Sequence, residues 1–168
     1  MKSRTTELRL IAIALTLLIA LIAASAAYAK SYSATGAAKG DKTTTFEVAV
    51  DAKAKKGKLK SATAITELRM SNAEFECSAT GEGGRGDYSH MGLYDDPVEI
   101  AKNGKFSDVY ELKAGKYVVE RYTLKGKVSG KGRNLVVTGT FKAEKGAGGI
   151  EFNNCSTGDV AFSAKAKL

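Results

Sequence analysis

The chain has 168 residues and carries 26 Lys and Arg against 18 Asp and Glu, which gives a formal net charge of +8 at pH 7. One histidine and two cysteines form a poor ligand set, so we expect no metal and no other cofactor. The lysines alternate with apolar residues, which indicates a solvated sheet face, and no pattern of aromatic and Arg residues for stacking on bases accompanies them. Despite the positive charge, a nucleic-acid partner is therefore not expected.

Residues 1–29 are typical of a signal peptide. A basic start precedes an apolar run that begins at Leu10, and Ala27-x-Ala29 supplies the small side chains that signal peptidase needs. We expect cleavage after Ala29, which leaves residues 30–168 as one secreted or extracytoplasmic (cell envelope) domain with no stable membrane anchor. The alternative is an uncleaved anchor, because the apolar run from Leu10 to Ala27 is close to the ~18–20 residues that span a bilayer.

Charge is distributed unevenly along the expected domain. Residues 30–60 carry eight basic and three acidic side chains, whereas residues 61–100 carry two basic and eight acidic ones. Residues 101–168 carry thirteen basic and six acidic side chains. An acidic block thus separates two basic blocks in the sequence.

Residues 30–168 show the alternation of strands and almost none of the periodicity of helices. Turns at Asn103-Gly104 and Gly130–Arg133 predict hairpins, since glycine and asparagine tolerate positive φ. We predict an all-β fold, an antiparallel β-sandwich of about nine short strands, with a partly closed β-barrel as second choice. The predicted strands are Thr44–Val50, Leu59–Leu68, Asn72–Ala79, Val98–Ile100, Phe106–Leu112, Val118–Val128, Leu135–Ala143, Ile150–Phe152 and Asp159–Ala166.

The two cysteines are predicted to form a disulfide. Cys77 alternates with apolar residues on the core face of its strand, and paired cysteines are usual in exported chains. A bond between Cys77 and Cys155 would close a long loop and restrict the unfolded chain. The alternative is two buried free thiols.

The segment from Thr80 to Pro97 interrupts the alternation and holds the only proline and the only histidine of the chain. We predict a long surface loop there and expect it to be the functional surface, since loops on rigid sheets commonly carry recognition residues. Its candidate binding residues are Arg85, Asp87, Tyr88, His90, Tyr94, Asp95 and Asp96.

Sharper interpretations of this loop are possible. Arg85-Gly86-Asp87 spells the tripeptide that integrins recognise, and the loop carboxylates supply oxygens for Ca²⁺, but their spacing matches no calcium motif. Ser89 beside His90 suggests a hydrolase, although a catalytic triad is defined by geometry rather than by adjacency. We expect a non-catalytic binding or surface-interaction module with an unknown extracellular or envelope partner. The alternatives are a barrel-like carrier of a small apolar ligand and a hydrolase using Ser89 and His90.

Several short motifs follow Cys77 along the chain. Asn103–Ser107 reads Asn-Gly-Lys-Phe-Ser, Gly126–Val128 leads to Gly139–Phe141, and Cys155–Ala164 reads Cys-x-Thr-Gly-x-Val-x-Phe-x-Ala. In this pattern the chain resembles short exported bacterial β-sandwich proteins of unknown function. The resemblance implies a β-sandwich with a Cys–Cys bridge, and it carries no active site to transfer.

Overall fold

A computed structural model describes residues 29–78, 80–90, 96–146 and 154–168. The described residues form ten β-strands and no helix, so the all-β prediction is confirmed. None of them lies in a helix long and apolar enough to cross a membrane. The strands are β1 (Lys30–Ala38), β2 (Thr45–Lys55), β3 (Lys58–Cys77), β4 (Gly83–Ser89), β5 (Val98–Glu99), β6 (Lys105–Ala114), β7 (Tyr117–Lys131), β8 (Asn134–Lys145), β9 (Cys155–Ser156) and β10 (Val160–Lys167).

Six strands close into a barrel, in the order β10, β1, β2, β3, β9, β8 and back to β10. All of these pairings are antiparallel. The hairpin of β6 and β7 extends the sheet beyond β8, while β4 and β5 pair with the outer edge of β3. The partly closed barrel, our second choice, describes this architecture. The two separate sheets of a sandwich do not form, because β10 bonds to β1 on one edge and to β8 on the other.

One long strand replaces two predicted ones. The segments Leu59–Leu68 and Asn72–Ala79 belong mostly to β3, which runs for 20 residues and bends at register shifts opposite β2 and β4. Asn72 has a positive φ of 56° within the shift against β4. Bulges of this kind curve a strand, and a small barrel needs such curvature in order to close.

Further differences concern one unpredicted strand and the pairing of β5 and β6. The strand β1 was not predicted, and β5 pairs with β3 rather than forming a hairpin with β6. The turn at Asn103-Gly104 is present, since Gly104 N donates to Ala101 O, but β6 pairs with β7 instead. The predicted strand Ile150–Phe152 lies outside the described residues.

A single core fills the barrel. Alternate residues point inward, and the rings of Phe46 and Phe162, which lie on the two strands that flank β1, stack with centroids 4.4 Å apart. Gly126 and Gly139 face each other on β7 and β8, where a Cβ at Gly126 would meet the Phe106 ring at 2.6 Å. The described part of the barrel is therefore packed with side chains, as small barrels usually are. Its fully buried aliphatic and aromatic residues include Val48, Val50, Ile65, Leu68, Met70, Leu124, Leu135, Val137 and Phe141.

The predicted disulfide is present. Cys77 on β3 and Cys155 on β9 are directly opposed in the ladder, with their sulfur atoms 1.97 Å apart. Strand β9 has only two residues, yet it joins β3 to β8 and completes the barrel. The disulfide thus holds the shortest member of the ring in place.

Candidate functional site

The segment predicted as a continuous loop contains a strand. Gly83–Ser89 forms β4, which pairs with β3 over Arg69–Glu76, so the loop prediction is wrong for this part. A Cβ on Gly84 would lie 3.1 Å from the Phe75 ring, which covers this glycine-rich strand. The backbone bonds of β3 stabilise a sequence whose own preference for strand is low.

Arg85 lies on β4 and forms hydrogen bonds with groups of the β1–β2 turn and of β3. Its Nη1 donates to Asp41 Oδ2 at 3.3 Å, to Thr43 Oγ1 at 2.7 Å and to Asn72 O at 2.8 Å. Its Nη2 donates to Glu74 on β3. Hydrogen bonds from the two threonines that follow Asp41, together with the charge of Arg85, hold the pKa of the Asp41 carboxyl well below its usual range. Arg85 therefore joins the β1–β2 turn to the β3–β4 pair.

Asp87 also has a structural partner. Its Oδ1 accepts a hydrogen bond from the backbone N–H of Asn72 at 2.8 Å, within the β3 bulge. Asn72 in turn donates through Nδ2 to Thr43 O. The charged members of the Arg85-Gly86-Asp87 tripeptide thus sit in a strand and bond to their own chain, whereas an integrin ligand presents them at a loop tip.

Tyr88 and His90 point into the core. The His90 side chain is buried among Tyr110, Tyr122 and Phe141, with ring centroids 5.7–6.2 Å away. Its Nε2 approaches Asp108 Oδ2 at 3.1 Å without the alignment of a hydrogen bond. Burial lowers the pKa of His90, and the neighbouring Asp108 carboxylate opposes that shift. Burial thus favours the neutral form of His90, which is a core residue.

Ser89 and His90 do not face each other. Ser89 is half-buried at the end of β4, while the next residue is fully buried, as expected for neighbours in an extended chain. Asp96 is exposed, and Tyr94 and Asp95 lie outside the described residues. Across the described ranges, no three His, Cys, Asp or Glu side chains come close enough to hold a metal ion.

A groove of about 870 Å³ runs beside the disulfide. Both signs of charge line it, since Glu76 and Glu144 face Lys142 and Lys145. The lysines are already engaged, because Lys142 pairs with Glu144 at 2.7 Å and Lys145 with Glu120 at 3.5 Å. Such internally neutralised walls give little attraction to a charged ligand.

The opposite end of the barrel is strongly basic. The β2–β3 and β7–β8 turns meet there: a Cβ on Gly57 would lie 3.5 Å from the Arg133 side chain, and Leu168 N donates to Arg133 O. Ten exposed basic side chains surround this end, which we call the basic end: Lys30, Lys53, Lys55, Lys56, Lys58, Lys60, Lys102, Lys131, Arg133 and Lys167.

Carboxylates are scarce around the basic end. Segments 52–66, 100–107, 125–143 and 160–168 contain no Asp or Glu. Among acidic side chains, Asp51 and Glu99, which pair with Ala64 from its two sides, are the nearest by strand register. Every ion pair found among the described residues uses other basic groups. No side-chain carboxylate of the described residues therefore forms an ion pair with the basic groups of this end.

A second groove, of about 510 Å³, opens on this end between the start of β3 and the end of β7. Three lysines line it, namely Lys60, Lys102 and Lys127, together with the polar residues Ser61, Thr63, Asn103 and Ser129. The Thr63 hydroxyl already donates to Asp51 O. Its described walls include no carboxylate. The lining suits an anion, since three lysines and no described carboxylate surround one concave space.

Sequence reasoning missed the basic end because its residues come from separate segments. The lysines of the β2–β3 turn were visible as a run, but the topology adds the β7–β8 turn, the start of β1 and the end of β10. Only the registers Lys30↔Ala52 and Lys167↔Asn134 bring those groups to one end.

Comparisons with protein-family models, with curated proteins and with solved structures found no match for this chain.

Proposed function

We propose that this protein is an exported, non-catalytic β-barrel module that binds a negatively charged partner at the cell envelope through its basic end. The observation that carries the proposal is the set of ten exposed, unneutralised basic side chains at one end of the barrel. Export rests on the signal-peptide pattern of residues 1–29, and the disulfide is consistent with an extracytoplasmic location. Kinship with the short exported bacterial proteins described above is part of the same proposal.

Charge clustering of this kind favours long-range attraction over a specific fit. Several like charges on one side of a protein produce a potential that attracts anionic partners. Salt screens this potential, which decays over about 8 Å at physiological ionic strength. Lysine supplies nine of the ten groups, and its flexible ammonium suits diffuse anionic surfaces.

The two alternatives lack comparable support. A carrier of a small apolar ligand needs a cavity inside the barrel, but side chains such as Val50, Leu135 and Phe141 fill the described interior. A hydrolase built on Ser89 and His90 needs the two side chains to meet, and they point to opposite faces.

The proposal is tested by retention on an immobilised polyanion. We expect the chain from Lys30, which contains the whole barrel, to bind heparin resin and to elute with salt. Reversing Lys55, Lys58 and Lys131 to Glu should lower the eluting salt concentration sharply. The control reverses Lys39, Lys42 and Lys116, which are exposed and lie away from the basic end, and changes net charge equally.

Two results decide the matter. A large loss in the first variant and a small loss in the control would support a defined basic end. Equal losses in both variants would show that total charge alone governs retention, and the proposal would then be wrong.

A further inference from the structure

We infer that the anionic partner is the surface of a phospholipid bilayer, and that the groove lined by Lys60, Lys102 and Lys127 receives a headgroup phosphate. This inference rests on the proposed function and names its partner. Four observations carry it. They are the point where the chain enters the barrel, the residues that line the groove, the packing of the nearby aromatic rings against the core, and the positions of the exposed apolar side chains.

The chain enters the barrel at the basic end. Strand β1 begins at Lys30, which pairs with Ala52 beside the β2–β3 turn. The apolar run from Leu10 to Ala27 immediately precedes this point in the sequence. When that run crosses the membrane, before cleavage or as a retained anchor, the basic end is the part of the barrel next to the bilayer.

Lysines in the lining of the groove supply the positive charge that a phosphate group favours. Lys60 and Lys127 lie on β3 and β7, and Lys102 comes from the turn that leads into β6. Ser61 and Ser129 share the lining. The groove beside the disulfide is different, because its lysines form ion pairs with glutamates. The three lysines of the groove at the basic end form no ion pair with a described side chain.

Nucleic acid fits the basic end poorly. Binding to single strands relies on exposed aromatic rings, and recognition of duplex bases relies heavily on arginine. Arg133 is the only arginine of the basic end, and the nearby aromatics Tyr32 and Phe106 pack against the core. The ammonium of Lys30 lies 5.4 Å from the centre of the Tyr32 ring, which further covers that ring.

The contact is expected to lie on the membrane surface and not to penetrate it. The large apolar side chains that are exposed in the described structure are Val109, Leu112 and Tyr117, at 58%, 42% and 40%. All three belong to the β6–β7 hairpin, and Leu112 and Tyr117 lie near its turn, at the far end of the barrel. Binding through the basic end therefore depends on charge and is reversed by salt.

Vesicle sedimentation tests the inference with the chain from Lys30. We expect co-sedimentation with vesicles that mix phosphatidylglycerol and phosphatidylcholine, and none with pure phosphatidylcholine. Each basic residue near an anionic surface strengthens binding by about fivefold, so reversing Lys60, Lys102 and Lys127 to Glu should weaken binding by roughly a hundredfold or more. The control variant Lys39→Glu, Lys42→Glu, Lys116→Glu should bind within a fewfold of wild type.

A competition experiment separates the groove from general attraction. Inorganic phosphate should release vesicle-bound wild type at a lower ionic strength than sodium chloride does. Equal release by the two salts, or unchanged binding of a folded groove variant, would overturn the assignment of the groove. Circular dichroism and melting temperature establish that the variant is folded. If it does not fold, the neutral variant Lys60→Gln, Lys102→Gln, Lys127→Gln takes its place.

The failures of the two proposals are distinguishable. Binding to heparin resin without binding to anionic vesicles would contradict the bilayer as the partner and would leave the proposed function intact. Absence of binding to both would remove the proposed function and this inference together.

Discussion

The two ends of the barrel use charge in opposite ways. At the end near the β1–β2 turn, Arg85 contacts Asp41 and Glu74, and Lys142 and Lys145 contact glutamates. At the basic end the lysines have no acidic partner within the described residues. Exposed ion pairs between strands each stabilise the fold by at most about 1 kcal/mol, whereas unpaired charges of one sign repel each other and slightly oppose folding. We therefore expect changes at the paired end to alter stability, and changes at the basic end to alter binding.

The strongest test of this comparison removes the covalent link at the paired end. Replacing Cys155 with Ser frees β9 from β3 and should lower the free energy of unfolding by about 3–4 kcal/mol, because the unfolded chain regains the freedom of a loop spanning 78 positions. Urea denaturation measures the change. Wild type under reducing conditions is the matched control and should show the same loss, and an unchanged midpoint would contradict the role given to the bond.

A smaller effect is expected between the two ends. A Cβ at Gly126 would lie 2.3 Å from Thr138 O and 2.6 Å from the Phe106 ring, so Gly126→Ala should destabilise the barrel by about 1–3 kcal/mol. The control is Gly86→Ala, where the nearest atom would be 3.4 Å away. Thermal melting of both variants measures the difference, and equal melting temperatures would contradict the close packing of β7 against β8.

The bulge in β3 is expected to depend on one carboxylate. Asp87→Ala leaves the Asn72 N–H without its acceptor and should cost about 1 kcal/mol. Asp96→Ala is a suitable control, since that residue is exposed. Chemical denaturation of the two variants provides the measurement. If Asp87→Ala is as stable as the control, the residue is free for another role, and recognition through β4 regains support.

The pH dependence of stability should be modest and should come from His90. Burial depresses its pKa in the folded state, so the unfolded state binds more protons near the ordinary value of 6.5. Stability is then fully present above that value and falls as the pH drops through and below it. Melting temperatures at pH 7.5 and 5.5 measure the loss, and His90→Phe, which suits the surrounding rings, should reduce it. A loss that is the same in both proteins would assign the effect to carboxylates instead.

The strands that alternate clearly could be predicted from the sequence, and those built from small residues could not. The β7–β8 hairpin and β10 follow the period of two expected for strands with one buried face. Strand β1 lacks that signal, because β10 passes so close that a Cβ on Gly36 would lie 1.9 Å from Ser163 O. The inward positions of β1 are Ala34, Gly36 and Ala38, and these small residues favour strands weakly.

The candidate site was harder to predict for a related reason. Arg85 and Asp87 have the composition of a recognition loop, and only the pairing of β4 with β3 shows that they bond to their own chain. The basic end depends on which turns meet, and that follows from closure of the barrel rather than from any local pattern. Binary patterning predicts the faces of strands but not the order in which strands join.

The pairing of β1 with β10 has a consequence for how the protein is made. These are the first and last strands of the barrel, and the register runs from Thr35↔Lys165 to Ala38↔Phe162. Under the export proposed above, the chain crosses the membrane from its N-terminus, and β1 would reach the outer compartment long before the strand that covers its edge. Until translocation ended, β1 and β2 would expose backbone groups that other strands can bind, and contacts between residues far apart in sequence form slowly. Chaperones that protect unpaired strands during this interval are expected to influence the yield of the folded protein more than its final stability.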